Sequence, residues 1–356
     1  MKNSYPSAAQ NIDHTPKIDY RSDTVTKPSA AMRDCMSRAT VGDDVYGEDP
    51  SVNQLQRKAA NLLEKEDALF VPSGTMSNLL ALLSHCQRGE EAIVGDQYHI
   101  FSHEAGGASA LGGVVMQSIN TTTTGHMTAQ QVAAAIRPDD SHFALSKLVC
   151  VENTVSGFVQ DQTELNAIAA LAADRGLLSH LDGARMMHAA IKSGLSPAQL
   201  AESFDSVSLC LSKGLGAPAG SVLCGSSAFI RKANRLRKML GGGMRQSGIL
   251  AAAGIFALDN NLQRLQQDHD LASYFARQLN LMTQVSINIA EVETNMIFAD
   301  FSRAEGKNSH QSLAEYLMQF SISIADGSIC RIVLHLDISR EDVDLTLEKI
   351  NAYYQQ

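Results

Sequence analysis

The chain contains no tryptophan, and only 5% of its 356 residues are aromatic. It also lacks a basic excess: 29 lysines and arginines stand against 38 aspartates and glutamates, a formal net charge of −9. Nucleic-acid binding needs a basic face to neutralise phosphates, so that class is set aside. No apolar run is long enough to span a bilayer, and no membrane partner is expected. The six cysteines, Cys35, Cys86, Cys150, Cys210, Cys224 and Cys330, show no C-x-x-C spacing. Several sit inside apolar runs and read as small core residues in a reducing cytosol. Residues 1–17 are polar, contain Pro6 and Pro16 and have no apolar signal-type stretch, so the expectation is a loose extension on a cytoplasmic protein. Internal repeats and low-complexity tracts are missing too.

What is present is an ordinary globular composition, 44% hydrophobic and 19% charged, on a chain long enough for one large domain plus a smaller one. β-prone runs at 68–71, 92–94, 113–119, 148–152, 177–181, 207–211 and 221–224 alternate with helical patterns at 75–86, 128–136, 162–175 and 226–239. Repeated β-α-β order predicts an α/β fold, a mostly parallel central sheet with helices on both faces. Gly241-Gly242-Gly243 breaks the pattern, and a long helical run over about 248–282 leads into a smaller α+β unit. That unit is expected to have strands near 285–289, 296–300, 321–324 and 331–336, a helix near 310–318 and a terminal helix from Arg340. The expected division is an extension at 1–17, a large domain with an N-terminal arm at 18–250 and a small domain at 251–356.

Two apolar runs end on chemistry. One stops at Asp182 in Leu181-Asp182-Gly183-Ala184-Arg185, the other at Lys213 in Leu211-Ser212-Lys213-Gly214-Leu215-Gly216. In sheets of this kind ligands bind beyond the carboxyl ends of the strands. An amine and a carboxylate at neighbouring strand tips suit pyridoxal phosphate, whose aldehyde takes the amine and whose pyridine nitrogen takes the acid. The alternative for Lys213 is a surface loop lysine. Ser73-Gly74-Thr75-Met76 follows an apolar strand and opens a helix, either as an ordinary N-cap or as a phosphate site. Ser212 could add a hydroxyl. Arg185 could take a substrate carboxylate in bidentate fashion, or form a local ion pair with Asp182. Arg331, at the start of an apolar run, is a second candidate guanidinium or a strand-edge cation. His99 and His103 share a helix face at i, i+4 spacing. His335 and Asp337, remote in sequence, are the only suggested further ligands, so a ring stacked on a cofactor or acting as a base is preferred over a metal site. Arg231, Lys232, Arg235, Arg237 and Lys238 form a basic cluster that reads as a solvated face or as a contact for a phosphate, the chain's own or a neighbouring subunit's.

Together with Asp19-Tyr20-Arg21-Ser22-Asp23-Thr24-Val25-Thr26-Lys27-Pro28, Val41-Gly42-Asp43-Asp44-Val45-Tyr46-Gly47-Glu48-Asp49-Pro50, Glu152-Asn153-Thr154 and Gly241-Gly242-Gly243-Met244-Arg245-Gln246, these motifs resemble the low-specificity L-threonine aldolases, from about Ile18 to the C-terminus. The resemblance implies the aspartate-aminotransferase fold (PLP fold type I) and pyridoxal 5'-phosphate as cofactor. It implies aldol cleavage of L-threonine, L-allo-threonine and related β-hydroxy-α-amino acids to glycine and an aldehyde. Lys213 would carry the cofactor, Asp182 would meet its ring nitrogen and His99 would stack on its ring. Gly74, Thr75 and Ser212, beside Met76, would hold its phosphate. Ser22, Arg185 and Arg331 would bind the substrate carboxylate. Tyr46, Lys238 and Arg245 would approach from a partner subunit of a homotetramer built as a dimer of dimers. Two positions depart from the family pattern near the substrate β-carbon: Val155 stands where many members have histidine, and His103 where an aromatic residue is usual.

Three other readings compete. Alanine racemisation on the same scaffold would suit Val155, since alanine has no β-hydroxyl. A silent binding protein is opposed by the intact Lys213, Asp182 and Arg185. A metal-dependent hydrolase would have to be built on His99 and His103.

Overall fold

The computed structural model describes residues 15–302 and 312–355. Its strands, in chain order, are β1 (Ile18–Asp19), β2 (Asp67–Val71), β3 (Glu91–Gly95), β4 (Val115–Ile119), β5 (Ser146–Glu152), β6 (Leu178–Gly183), β7 (Ser206–Cys210), β8 (Ser221–Gly225), β9 (Met296–Asp300), β10 (Ile322–Ser323) and β11 (Ile329–Val333). The described residues divide into a larger unit, 27–264, and a smaller one formed by 15–26 and 265–355.

The larger unit carries a seven-stranded sheet in the order β2-β8-β7-β6-β5-β3-β4. Neighbours from β4 through β7 run parallel, while β8 is antiparallel to both β7 and β2. All seven strands fall on the apolar runs read from the sequence. Central strands β5, β6 and β7 are buried almost throughout, because helices cover both faces and alternation is not needed. Between strands lie the helices Gly74–His85, Ala129–Ala135, Gln162–Asp174 and Ser227–Met239. Each starts at a hydroxyl or carboxylate that accepts a backbone N–H: Ser73, Thr128, Asp161 and Ser226. Those caps fix where the chain turns back from each strand end.

The expected helix over 248–282 is two helices, Gly248–Asn260 and Leu265–Leu279. Asn261 interrupts it, donating from Nδ2 to the Leu215 carbonyl at 2.7 Å. The unit boundary follows this break rather than residue 250. Gly248–Asn260 belongs with the larger unit, where it packs on the helix Pro50–Leu62, and its Gly254 faces Leu55 and Leu211.

The smaller unit takes back the N-terminal segment that the sequence reading had joined to the large domain. β1 pairs in parallel with β10, the Val333 N–H donates to the Tyr20 carbonyl at 2.9 Å, and the fully buried Tyr20 ring reaches Thr346 Oγ1 at 3.0 Å. Its core joins Tyr20, Phe275, Ile297, Leu317, Ile332 and Val343 with their neighbours. β9 pairs antiparallel with β11. The expected strand near 285–289 reduces to a single bridge, Ser286 with Asp300. The helix expected near 310–318 is Leu313–Met318, and its first residues, 310–311, lie outside the described residues.

Candidate active site

The carboxyl ends of β3, β5, β6 and β7 deliver the site. In-register pairing sets Glu152 at the end of β5 beside Asp182 on β6. Both carboxylates are buried. Asp182 Oδ1 accepts the Ala184 N–H at 3.0 Å, and Oδ2 accepts from Asn78 Nδ2 at 2.8 Å. Glu152 Oε2 accepts the His99 backbone N–H at 2.6 Å, which anchors the start of the short helix His99–Ser102 after β3. Burial, with the Asp182 charge beside it, pushes the Glu152 carboxyl up to about 8. His99 Nδ1 lies 2.9 Å from Glu104 Oε1. Burial opposes protonation of His99, but the Glu104 hydrogen bond and the Asp182 charge outweigh it and raise its pKa above the ordinary histidine value. Burial likewise raises the pKa of Glu104, against the lowering effect of His99.

Lys213 follows β7 and is half-buried in a turn closed by the Gly216 N–H donating to the Lys213 carbonyl at 2.8 Å. Gly216 closes it at φ +79°, a conformation favourable to glycine. The ammonium acts electrostatically on both His99 and Glu152, so the lysine, the acids and the imidazole share one locality. His99, Glu104 and Asp182 also offer ligand atoms within 4.8 Å of one another. Asn78 donates hydrogen bonds to both of those acids, and that arrangement is a polar network rather than a vacant cation cage.

At the opposite end of the site, Ser73 caps the helix Gly74–His85 by accepting the Met76 N–H at 3.2 Å. The first N–H groups of that helix face outward with the positive end of its dipole. Ser221 opens β8 at the same sheet edge, opposite both Val71 and Cys210. Its Oγ is buried and has no hydrogen-bond partner among the described residues. A Cβ built on Gly74 would lie 3.6 Å from that oxygen. A buried donor left open beside a helix N-terminus fits an anion. With an acid for a ring nitrogen, an imidazole and a strand-tip amine, the residues fit a phosphate-bearing pyridine aldehyde.

The other expected residues are placed as follows. Arg185, half-buried, begins the helix Met186–Ser193 three positions past Asp182. Met76 packs against Gly242, where a Cβ would stand 2.2 Å from the sulfur. Ser212 Oγ is 3.5 Å from Cys210 Sγ. His103 is exposed and stacks on His99, with ring centroids 5.6 Å apart. Val155 is buried, bridges to Phe158 and fills the space beside Gly125. Tyr46 is 77% exposed, and its segment is tied to Arg245 by the Asp43–Arg245 pair at 2.9 Å. Lys238 is exposed, but the basic cluster is not a uniform solvated face. Arg237 is buried, paired to Asp44 at 2.8 Å and donating to the Phe70 carbonyl at 2.7 Å. Ser22 and Arg331 belong to the smaller unit. There Ser22 Oγ accepts the Thr24 N–H, and Arg331 donates to the Arg21 carbonyl at 3.0 Å.

Sequence reasoning missed Asn78, Glu104, Glu152 as a titrating group, and Ser221. Asn78 carried a usable signal: an amide in the run Leu79-Leu80-Ala81-Leu82-Leu83 that it introduces is a polar group on a core-facing helix.

Residues 19–302 match the family model described as beta-eliminating lyase. The low specificity L-threonine aldolase of Escherichia coli K12 is 48% identical over 326 residues, 92% of this chain and 96% of that protein. Low-specificity L-threonine aldolase 1 of Arabidopsis thaliana is 44% identical over 338 residues, 93% of this chain and 94% of that one. Among solved structures, the threonine aldolase of Leishmania major matches with a TM-score of 0.80 at 20% identity, covering 95% of this chain and 99% of that one.

Proposed function

The chain belongs to the beta-eliminating lyase family, among relatives named low-specificity L-threonine aldolases, and from that premise we propose that it cleaves L-threonine, L-allo-threonine and related β-hydroxy-α-amino acids to glycine and an aldehyde. It is a lyase with the PLP type I fold, and its cofactor is pyridoxal 5'-phosphate. The observation that carries the substrate reading is the convergence of Lys213, Asp182 and His99 at one sheet edge.

When bound, the cofactor supplies a protonated ring that accepts the electron pair released as Cα–Cβ breaks. Lys213 Nζ holds it covalently. Asp182 keeps the ring nitrogen protonated, with its own geometry fixed by Ala184 and Asn78. His99 would help to hold the ring. Gly74, Thr75, Ser212 and the open Ser221 hydroxyl hold the phosphate beside Met76. Arg185 would bind the substrate carboxylate and so orient the substrate, where misalignment is costly. His99, directly or through one water, takes the β-hydroxyl proton. From the resemblance alone we add Ser22 and Arg331 as carboxylate ligands, and His103 and Val155 as neighbours of the β-carbon. On the same ground Tyr46, Lys238 and Arg245 contribute from a partner subunit of a homotetramer. No helix among the described residues is long and apolar enough to cross a membrane, and a cytoplasmic location is part of this reading.

The test is direct. Purified enzyme given L-threonine should release equal amounts of glycine and acetaldehyde. Conversion of L-alanine to its D-form without glycine formation from threonine would replace the proposal with racemisation, the outcome favoured by the apolar Val155.

A further inference from the structure

Asn78 lies within the helix Gly74–His85 and is 2% exposed. Its Nδ2 donates to Glu104 Oε1 and to Asp182 Oδ2, each at 2.8 Å. Both amide hydrogens are then used, and only Oδ1 remains, which can only accept. It lies 3.2 Å from His180 Nε2, so that nitrogen carries the hydrogen and His180 Nδ1 is a lone pair. Ser206 Oγ, 2.8 Å from Nδ1, must donate its single hydrogen there. It therefore accepts from His85 Nε2 at 2.7 Å. The reverse amide orientation would aim a carbonyl oxygen at two carboxylates. One residue thus sets the direction of every proton from His85 to Asp182. Burial, chiefly, holds His180 at about 4 and His85 at about 3, so both rings stay neutral at neutral pH. On the other branch, Glu104 Oε1 also faces His99 Nδ1 at 2.9 Å. A carboxylate there accepts the Nδ1 hydrogen and leaves His99 Nε2 as a lone pair, the form a base requires.

We infer that Asn78 is a positioning residue that fixes two parts of the site at once, the acid Asp182 directly and the imidazole His99 through Glu104. The inference rests on the proposed roles of those two residues. It departs from them in naming a residue whose side chain bonds to Glu104, Asp182 and His180.

Asn78→Asp keeps the size and an acceptor for His180 but offers no N–H to either acid. In the holoenzyme it should weaken cofactor binding about tenfold or more, the scale of lost hydrogen bonds to charged groups. It should also move the visible absorption maximum of the bound cofactor and lower kcat more than it raises KM. Glu104→Gln keeps Oε1 as acceptor for both partners and removes the charge. It should lower kcat while leaving cofactor affinity within about twofold. Parent-like affinity and absorption in Asn78→Asp, or parent-like kcat in Glu104→Gln, would overturn the coupling. Nitrogen-15 NMR of histidine-labelled wild-type holoenzyme reads the network without any variant: His85 and His180 should both be neutral Nε2–H tautomers, and an Nδ1–H tautomer at His180 would overturn the assignment. A wild-type enzyme that makes no glycine from threonine counts against the substrate reading alone, because absorption, affinity and tautomers do not depend on it.

Discussion

The two ends of the site are built in opposite ways. Around Asp182 the polar groups are supplied with partners: buried Asn78 and Glu104, the Ala184 N–H and half-buried His99 form a set whose donors and acceptors match. At the start of the helix Gly74–His85, Ser221 Oγ is buried without a partner and Thr75 is exposed. A closed network holds a charge and an orientation before any ligand arrives, which lowers reorganisation during reaction. An open donor set is completed by the ligand and contributes to its affinity. Changes at the first end should therefore strike turnover, and changes at the second should strike cofactor retention.

The largest break in that contrast comes between the two ends. Lys213→Ala removes the amine proposed to tether the cofactor, and the rate of glycine formation should fall roughly a thousandfold, within the range for loss of a nucleophile or acid–base group; retention of the parent rate would overturn its assignment. Next, Asp182→Asn leaves one amide oxygen for two donors, Asn78 Nδ2 and the Ala184 N–H, and removes the charge proposed to face the ring nitrogen. Steady-state kinetics should show kcat down about a hundredfold with a much smaller change in KM. Ser221→Ala is the counterpart at the open end. Equilibrium dialysis of the cofactor should show binding weakened several-fold, as one neutral hydrogen bond implies, with kcat at saturating cofactor nearly unchanged. A large kcat loss in Ser221→Ala would erase the distinction between the ends.

The last test concerns stability. The Glu152 carboxyl is raised to about 8 in the folded chain, against about 4.3 for a free glutamate. The folded state thus binds the proton more tightly than the unfolded state, so this residue's contribution to stability falls as pH rises from about 4.3 to about 8. Thermal unfolding of the apoprotein should show Glu152→Gln gaining on the parent between pH 5 and pH 8. A gap that stays constant with pH would contradict the buried-carboxyl account.

The same contrast explains what the sequence disclosed. Every strand of the main sheet announced itself as an apolar β-prone run; the central strands β5, β6 and β7 are buried on both faces and need no alternation, whereas edge strand β4 is partly exposed. The direction of β8 did not, since Ser221–Gly225 looks like the strands of the parallel set and only pairing distinguishes it. Residues 18–26 were assigned to the wrong unit because β1 pairs with a strand some three hundred residues away, and no local signal encodes that. That Lys213, Asp182 and His99 share one locality was legible because they lie at or just past strand ends or begin helices, where loops carry function. Asn78 and Glu104 act through contacts across sequence separations of 104 and 26 residues, visible only once the sheet edge is assembled. Arg237 shows the reverse failure: a charge on a basic helix read as solvated is held inside by Asp44.

Borohydride reduction of the holoenzyme followed by peptide mapping tests the central claim most directly. The account predicts a single pyridoxyl adduct on Lys213, in the peptide containing Ser212-Lys213-Gly214. An adduct on another lysine, or cofactor uptake with no reducible link at all, would contradict it.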